Sequence, residues 1–280
     1  MKLRRLALTA LAAMLACGPA ARAAEPQPPM LWDANERLPK PDLTKLARLR
    51  FLTTTDFPPF NFLDTAGKLS GFHVDLARAI CAELAVADKC QIQALPWAEL
   101  DDALAKGDGE AIMAGVAVTQ ENREKYAFSR SYLQFPARFV MPKAKAVTEP
   151  LYEKLKGKRV GVVASSAHER MLRDDFPEVT TAPFPTEAAL FADIKAGKID
   201  AAFGDGMRFG FWLAGSDAAD CCRFAGGPYL APEYLGTGLA IAVKPDDKDI
   251  AAALDYALQQ IALKGTFAEL YLRYFPVSFY

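Results

Sequence analysis

Strand and helix signals alternate along this chain in two separate series, and that alternation limits the possible fold more than any other feature. In the first series LRFLTTT reads as a strand and Phe72 to Leu84 has the apolar spacing of a helix. CQIQALPW then reads as a strand, Ala98 to Ala105 as a helix and AIMAGVAV as another strand. The second series runs KRVGVVAS, a helix from about Ser166 to Phe176, the strand VTTAPF, a helix over TEAALFADIKAG and the strand IDAAFGD. GTGLAIAVK reads as a strand, followed by helices from Asp247 to Lys264 and from Thr266 to Tyr274. Strands that alternate with helices build largely parallel sheets flanked by helices. Two such units predict an α/β protein of two lobes.

The N-terminus is of a different kind. Lys2, Arg4 and Arg5 precede an apolar run from Leu6 to Ala16, and Ala21-Arg22-Ala23 offers a small-x-small cleavage site. Residues 1–23 therefore read as a secretory signal peptide, whose apolar core is too short to span a bilayer. Cys17 raises the alternative of a lipid-anchored N-terminus, but bulky Leu15 spoils the lipoprotein cleavage pattern, so cleavage near Ala23 is expected. Removing residues 1–23 takes away four cations and no acids, leaving 29 Lys and Arg against 34 Asp and Glu. A mildly acidic chain without a basic cluster is not expected to bind nucleic acid or an anionic membrane. Residues 24–47, rich in proline, read as an extended arm that Met30-Leu31-Trp32 pins to the body.

Export to an oxidising compartment gives the cysteines meaning. Cys81 and Cys90 flank AELAVADK, where a helix ends and the chain returns into a strand, and a disulfide between them is expected. Cys221 and Cys222 are adjacent, and two free buried thiols are expected there. With only His73 and His168 and no paired metal spacing, neither a metal nor a cofactor is expected.

Between Gly107 and Tyr132, an apolar run ends in Thr119, a good helix N-cap, followed by QENREKY. Arg123 falls just beyond that cap, where its planar guanidinium can grip a carboxylate with two parallel hydrogen bonds. On spacing alone a surface Arg123 paired with Glu121 or Glu124 fits as well. Other segments bear on the choice: TTTDFPPFNFLDTAGKLSGFHVDLARAICAEL, LPWAELDDALAKGDGEAIMAGVAVT, LKGKRVGVVASSA and GKIDAAFGD. In that order they resemble the family 3 periplasmic solute-binding proteins, the amino-acid-binding components of ABC importers, from about Arg50 to Phe275.

The resemblance implies a type II periplasmic-binding-protein fold in which the chain crosses twice between lobes. Residues 48–134 and 235–280 would form lobe one, and residues 135–234 lobe two. It implies that Arg123 holds an α-carboxylate, aided by backbone N–H groups near Gly115 and Ala117. Relatives often have serines where this chain has Ala114, Gly115 and Ala117, so hydroxyl support is missing here. Ser165 and Ser166, at a helix start in lobe two, would add donors, and Asp205 would receive the ligand's ammonium group. Phe57 and Trp97 would sandwich its side chain. Thr54 and His73 stand where binders of basic amino acids tend to carry aspartates, which argues against lysine, arginine or ornithine.

Read without the resemblance, Ser166 is a helix cap, Asp205 a turn residue before Gly206, and the two aromatics cover the core. The expected function is that of a monomeric, non-catalytic periplasmic binding protein. It would capture a small amino acid or related carboxylate by hinge closure and deliver it to an inner-membrane ABC permease. The alternative is a cyclohexadienyl (prephenate or arogenate) dehydratase-like enzyme on the same fold, with Asp205 as the candidate acid.

Overall fold

A computed structural model describes residues 31–33, 35–275 and 278–280. The expected signal peptide, Cys17 and Met30 lie outside the described residues. The chain opens with β1 (Leu49–Thr53) and a small antiparallel sheet of β2 (Asp56–Phe57), β3 (Asn61–Leu63) and β4 (Leu69–Ser70). Next come α1 (Phe72–Glu83), β5 (Cys90–Ala94), α2 (Leu100–Lys106), β6 (Ala111–Ile112), α3 (Gln120–Lys125) and β7 (Ala127–Phe128). A second unit holds β8 (Ala137–Pro142), α4 (Leu151–Lys154), β9 (Arg159–Val163), α5 (Ala167–Asp175) and β10 (Thr180–Phe184). It continues with α6 (Glu187–Lys195), β11 (Ala201–Asp205), α7 (Gly206–Ala214), β12 (Cys222–Tyr229) and α8 (Pro232–Leu235). The chain then returns to the first unit with β13 (Ala242–Val243), α9 (Lys248–Leu263) and α10 (Thr266–Tyr274).

Two five-stranded sheets result, in the orders β5-β1-β6-β13-β7 and β10-β9-β11-β8-β12. In each, four strands point the same way and one, β13 or β8, runs antiparallel between two of them. The central strands of both sheets are buried on both faces, which is why they are apolar runs rather than alternating ones. Phe51 faces one core cluster and its neighbour Leu52 another. Phe139 and Phe203 fill one side of the second sheet, while Val140 and Ala202 fill the other.

Several expectations are corrected here. AIMAGVAV and GTGLAIAVK are strands only over Ala111–Ile112 and Ala242–Val243. The first leaves its ladder for a bend at Gly115, whose φ of +87° takes the chain out of extended geometry. Helix α7 and strands β8 and β12 were not expected as separate elements. Helix α7 (GMRFGFWLA) has glycines at two of its nine positions, which masks its periodicity. Cys221 and Cys222 are not free thiols but are bonded to each other. They follow two consecutive left-handed residues, Ala219 (φ 46°) and Asp220 (φ 58°), in the tight turn that starts β12. Cys81 and Cys90 form the expected disulfide, with Cα atoms 6.1 Å apart.

The arm packs on the first unit. Trp32 is buried, with the Arg130 guanidinium 5.3 Å from its ring centroid, and Glu36 pairs with that same guanidinium at 2.7 Å. At the other end, Phe279 is buried in the first unit's core while its carbonyl accepts from Arg138 of β8 at 3.0 Å. Tyr280 exchanges two hydrogen bonds with the backbone of Gln134. The C-terminal residues thus tie α10 to the first crossover. Among the described residues no helix is long and apolar enough to cross a membrane.

Candidate functional site

The two crossovers determine which surfaces meet. Leu239 bridges both Ala117, just past β6, and Leu133, while Ala137 pairs with Asp205 at the end of β11. From Leu133 to Ala137 the chain advances four residues, which span at most about 14 Å. The carboxyl ends of β6 and β11 are therefore held close to each other, one on each lobe. Ligand sites in open α/β sheets lie at such edges.

On the first lobe, Thr119 caps α3 by accepting the Asn122 N–H at 3.1 Å, and the Asn122 side chain donates to the Ala117 carbonyl at 2.8 Å. Arg123 is exposed on this six-residue helix and has no ion pair among the described residues. Glu121 pairs instead with Lys125, at 3.3 Å. A Cβ at Gly115 would stand 2.9 Å from the Phe57 ring, so that ring lies directly against the Gly115 backbone. Phe57 also stacks on Phe60, with centroids 4.7 Å apart. Trp97 begins a single helical turn after Pro96 and is 54% exposed.

Thr54 and His73 lie beneath this surface rather than on it. Both are buried, and they belong to a chain of hydrogen bonds. Tyr132 O–H donates to His73 Nε2 at 2.8 Å, His73 Nδ1–H to Asn61 Oδ1 at 2.8 Å, and Asn61 Nδ2 to Thr54 Oγ1 at 2.7 Å. Only neutral imidazole can both donate and accept in this way. Burial lowers the His73 pKa to about 3.

The second lobe contributes Ser165, Ser166 and Asp205. Ser166 caps α5, accepting the Glu169 N–H at 3.1 Å and donating to the Val163 carbonyl at 2.6 Å. Glu169 reaches back to accept the Ser165 N–H at 2.7 Å, a variant of the capping box. The donor at Ser165 is therefore already taken by a carboxylate, itself paired with Arg173 at 2.7 Å. Asp205 ends β11 and caps α7 by accepting the Arg208 N–H at 2.9 Å, with no ion pair among the described residues. Burial raises its pKa, against the pull of the Arg208 N–H and of His168.

Asp205 opens on a pocket of about 640 Å³, shared with Ser166, His168, Glu187, Phe191 and Arg208. Glu187 and Arg208 close on each other at 2.7 Å. His168 is the residue that sequence reasoning left without a role. Burial lowers its pKa, opposed by Asp205 and Glu187, so the ring is held toward the neutral form. The available signal was its place two residues after a helix cap, on the same sheet edge as Asp205. No group of metal-ligating side chains occurs among the described residues.

Residues 49–277 match the model of the bacterial extracellular solute-binding proteins, family 3. ABC transporter arginine-binding protein 1 of Escherichia coli (strain K12) is 30% identical, over 82% of this chain and 91% of its own. Among solved structures, an ancestral cyclohexadienyl dehydratase superposes with a TM-score of 0.68 at 21% identity, covering 84% of this chain and 95% of its own. The L-cystine solute receptor of Neisseria gonorrhoeae, in its unliganded open conformation, has a TM-score of 0.68 at 20% identity, covering 83% and 94%. At these identities the two structures speak for the fold alone.

Proposed function

This chain belongs to the bacterial extracellular solute-binding proteins of family 3, and from that premise we propose that it is a non-catalytic, monomeric periplasmic receptor for an amino acid or a related carboxylate. Arg123 receives the carboxylate and Asp205 the ammonium group, with Phe57 and Trp97 beside the ligand's side chain. Residues 48–134 with 235–280 and residues 135–234 close on it as two bodies. The closed form then docks on an inner-membrane ABC permease. Residues 1–23 direct export, in keeping with relatives named as periplasmic binding proteins.

One observation carries this reading. Among the described residues, a half-buried acid without an ion pair and an exposed guanidinium without one are held on neighbouring sheet edges by a crossover only four residues long. Unpaired charges of opposite sign at such an edge match the two ends of a zwitterion. Arg123→Ala removes the carboxylate grip from a surface side chain without touching the core. We expect it to abolish ligand-induced thermal stabilisation while leaving the unliganded melting temperature unchanged; retained stabilisation would reject the site.

A second reading, dehydration of prephenate or arogenate, is favoured by the desolvation of Asp205, which raises the pKa of the candidate acid. Incubating the purified protein with either compound and watching for an aromatic product tests it directly.

A further inference from the structure

We propose that this cleft selects an α-amino acid whose side chain is uncharged and apolar. The inference rests on the roles given above to Arg123 and Asp205, and adds what the rest of the cleft does with its charges. On the second lobe the two carboxylates nearest Ser166 and Asp205 are already paired. Glu187 is closed on Arg208, and Glu169 on Arg173 and the Ser165 N–H. Arg138, beside the crossover, spends its guanidinium on the Phe279 carbonyl and the face of Phe224, 4.4 Å from the ring centroid. Desolvation favours the neutral form of His168.

The first lobe is neutral beneath Phe57. Thr54, Asn61, His73 and Tyr132 satisfy one another and contain no carboxylate. Asp56 projects from the opposite face of β2 to Phe57, because successive strand residues alternate. An entering ligand therefore meets Arg123 and Asp205, neither of which has an ion pair among the described residues. The α-carboxylate and α-ammonium of an amino acid neutralise both. A third charge on the side chain loses its water when the lobes close, and Glu187, Arg208, Glu169 and Arg173 are already engaged with one another. An apolar side chain instead meets Val163 and Phe191 in the Asp205 pocket, with Phe57 and Trp97 in the roles proposed above.

Titration calorimetry of the mature protein with leucine, phenylalanine, arginine, lysine and glutamate tests this. Leucine or phenylalanine is expected to bind at least about 100-fold more tightly than the three charged amino acids. Tightest binding of arginine, lysine or glutamate, with binding lost in Arg123→Ala, would overturn the charge-balance inference and leave the receptor reading standing. No heat from any of the five, with no turnover of prephenate or arogenate, would overturn both.

Discussion

Arg123 and Asp205 are unlike in how the fold treats them. Arg123 is exposed, whereas Asp205 is half-buried and desolvation raises its pKa. Asp205→Asn keeps the cap on α7, since asparagine caps as well as aspartate. It also removes the desolvated charge. The unliganded variant is expected to melt about 2–4 °C higher, corresponding to about 1 kcal/mol, while losing ligand-induced stabilisation. A lower melting temperature would show that Asp205 is a structural acid. The sign in pH follows from the raised pKa: the penalty is absent at low pH and grows as pH rises through the folded value. His73 has the opposite sense. Its folded pKa of about 3 lies below the ordinary 6.5, so its contribution is present above pH 6.5 and is lost as pH falls toward 3. Calorimetric unfolding should lose about 2 kcal/mol between pH 6.5 and 5 from this residue. His73→Gln, which cannot titrate, should flatten that slope even though it is less stable.

At the scale of elements, the hydrogen-bonded chain from Tyr132 to Thr54 links the segment entering the first crossover to the start of α1 and the loop after β1. Tyr132→Phe leaves the His73 nitrogen unpaired in the core and is expected to cost about 1–3 kcal/mol in chemical denaturation. The disulfide Cys81–Cys90 staples the end of α1 to the start of β5 across nine residues. Replacing both cysteines with serine should lower stability by about 2–3 kcal/mol if the bond acts mainly by restraining the unfolded chain. A drop below 1 kcal/mol would show that α1 and β5 are held by packing alone. On the second lobe, the bonded pair Cys221–Cys222 closes the turn leading into β12, at the end of that strand away from the crossover.

For the whole molecule, the C-terminal residues matter more than their position suggests. Phe279 packs against Tyr271 and Phe275, with ring centroids 5.3 and 5.4 Å away, and Gly206, first residue of α7, stands so close that a Cβ there would lie 3.3 Å from Phe279. The same tail touches the crossover through Gln134 and the second lobe through Arg138. Phe279→Ala is expected to cost about 3–5 kcal/mol, the usual range for emptying a buried aromatic site. Tyr280→Phe removes only the two bonds to Gln134. Its effect should fall on the relative freedom of the lobes, read by X-ray scattering as a larger radius of gyration without ligand. The native protein should become more compact when saturated with ligand.

The two-lobed α/β architecture was legible in the sequence because its signals are local. Helix α1, helices α5 and α6, and strands β9 to β11 carry their own periodicity, and the disulfide Cys81–Cys90 follows from a helix end and a strand start nine residues apart. Arg123 and Asp205 were nameable only through the family resemblance, since spacing alone left Arg123 a surface residue and Asp205 a turn residue. What residue types and spacing did not contain was burial and partnership, which depend on contacts far apart in the chain. Only the tertiary structure decided that His73 is a neutral core residue joined to Tyr132, that Glu169 occupies the Ser165 donor, and that His168 shares a pocket with Asp205. It also decided that Cys221 and Cys222 are bonded, because a turn of two left-handed residues cannot be read from Ala219 and Asp220. The site joins two edges contributed by distant parts of one chain, so its charge balance exists only once the crossovers have brought them together.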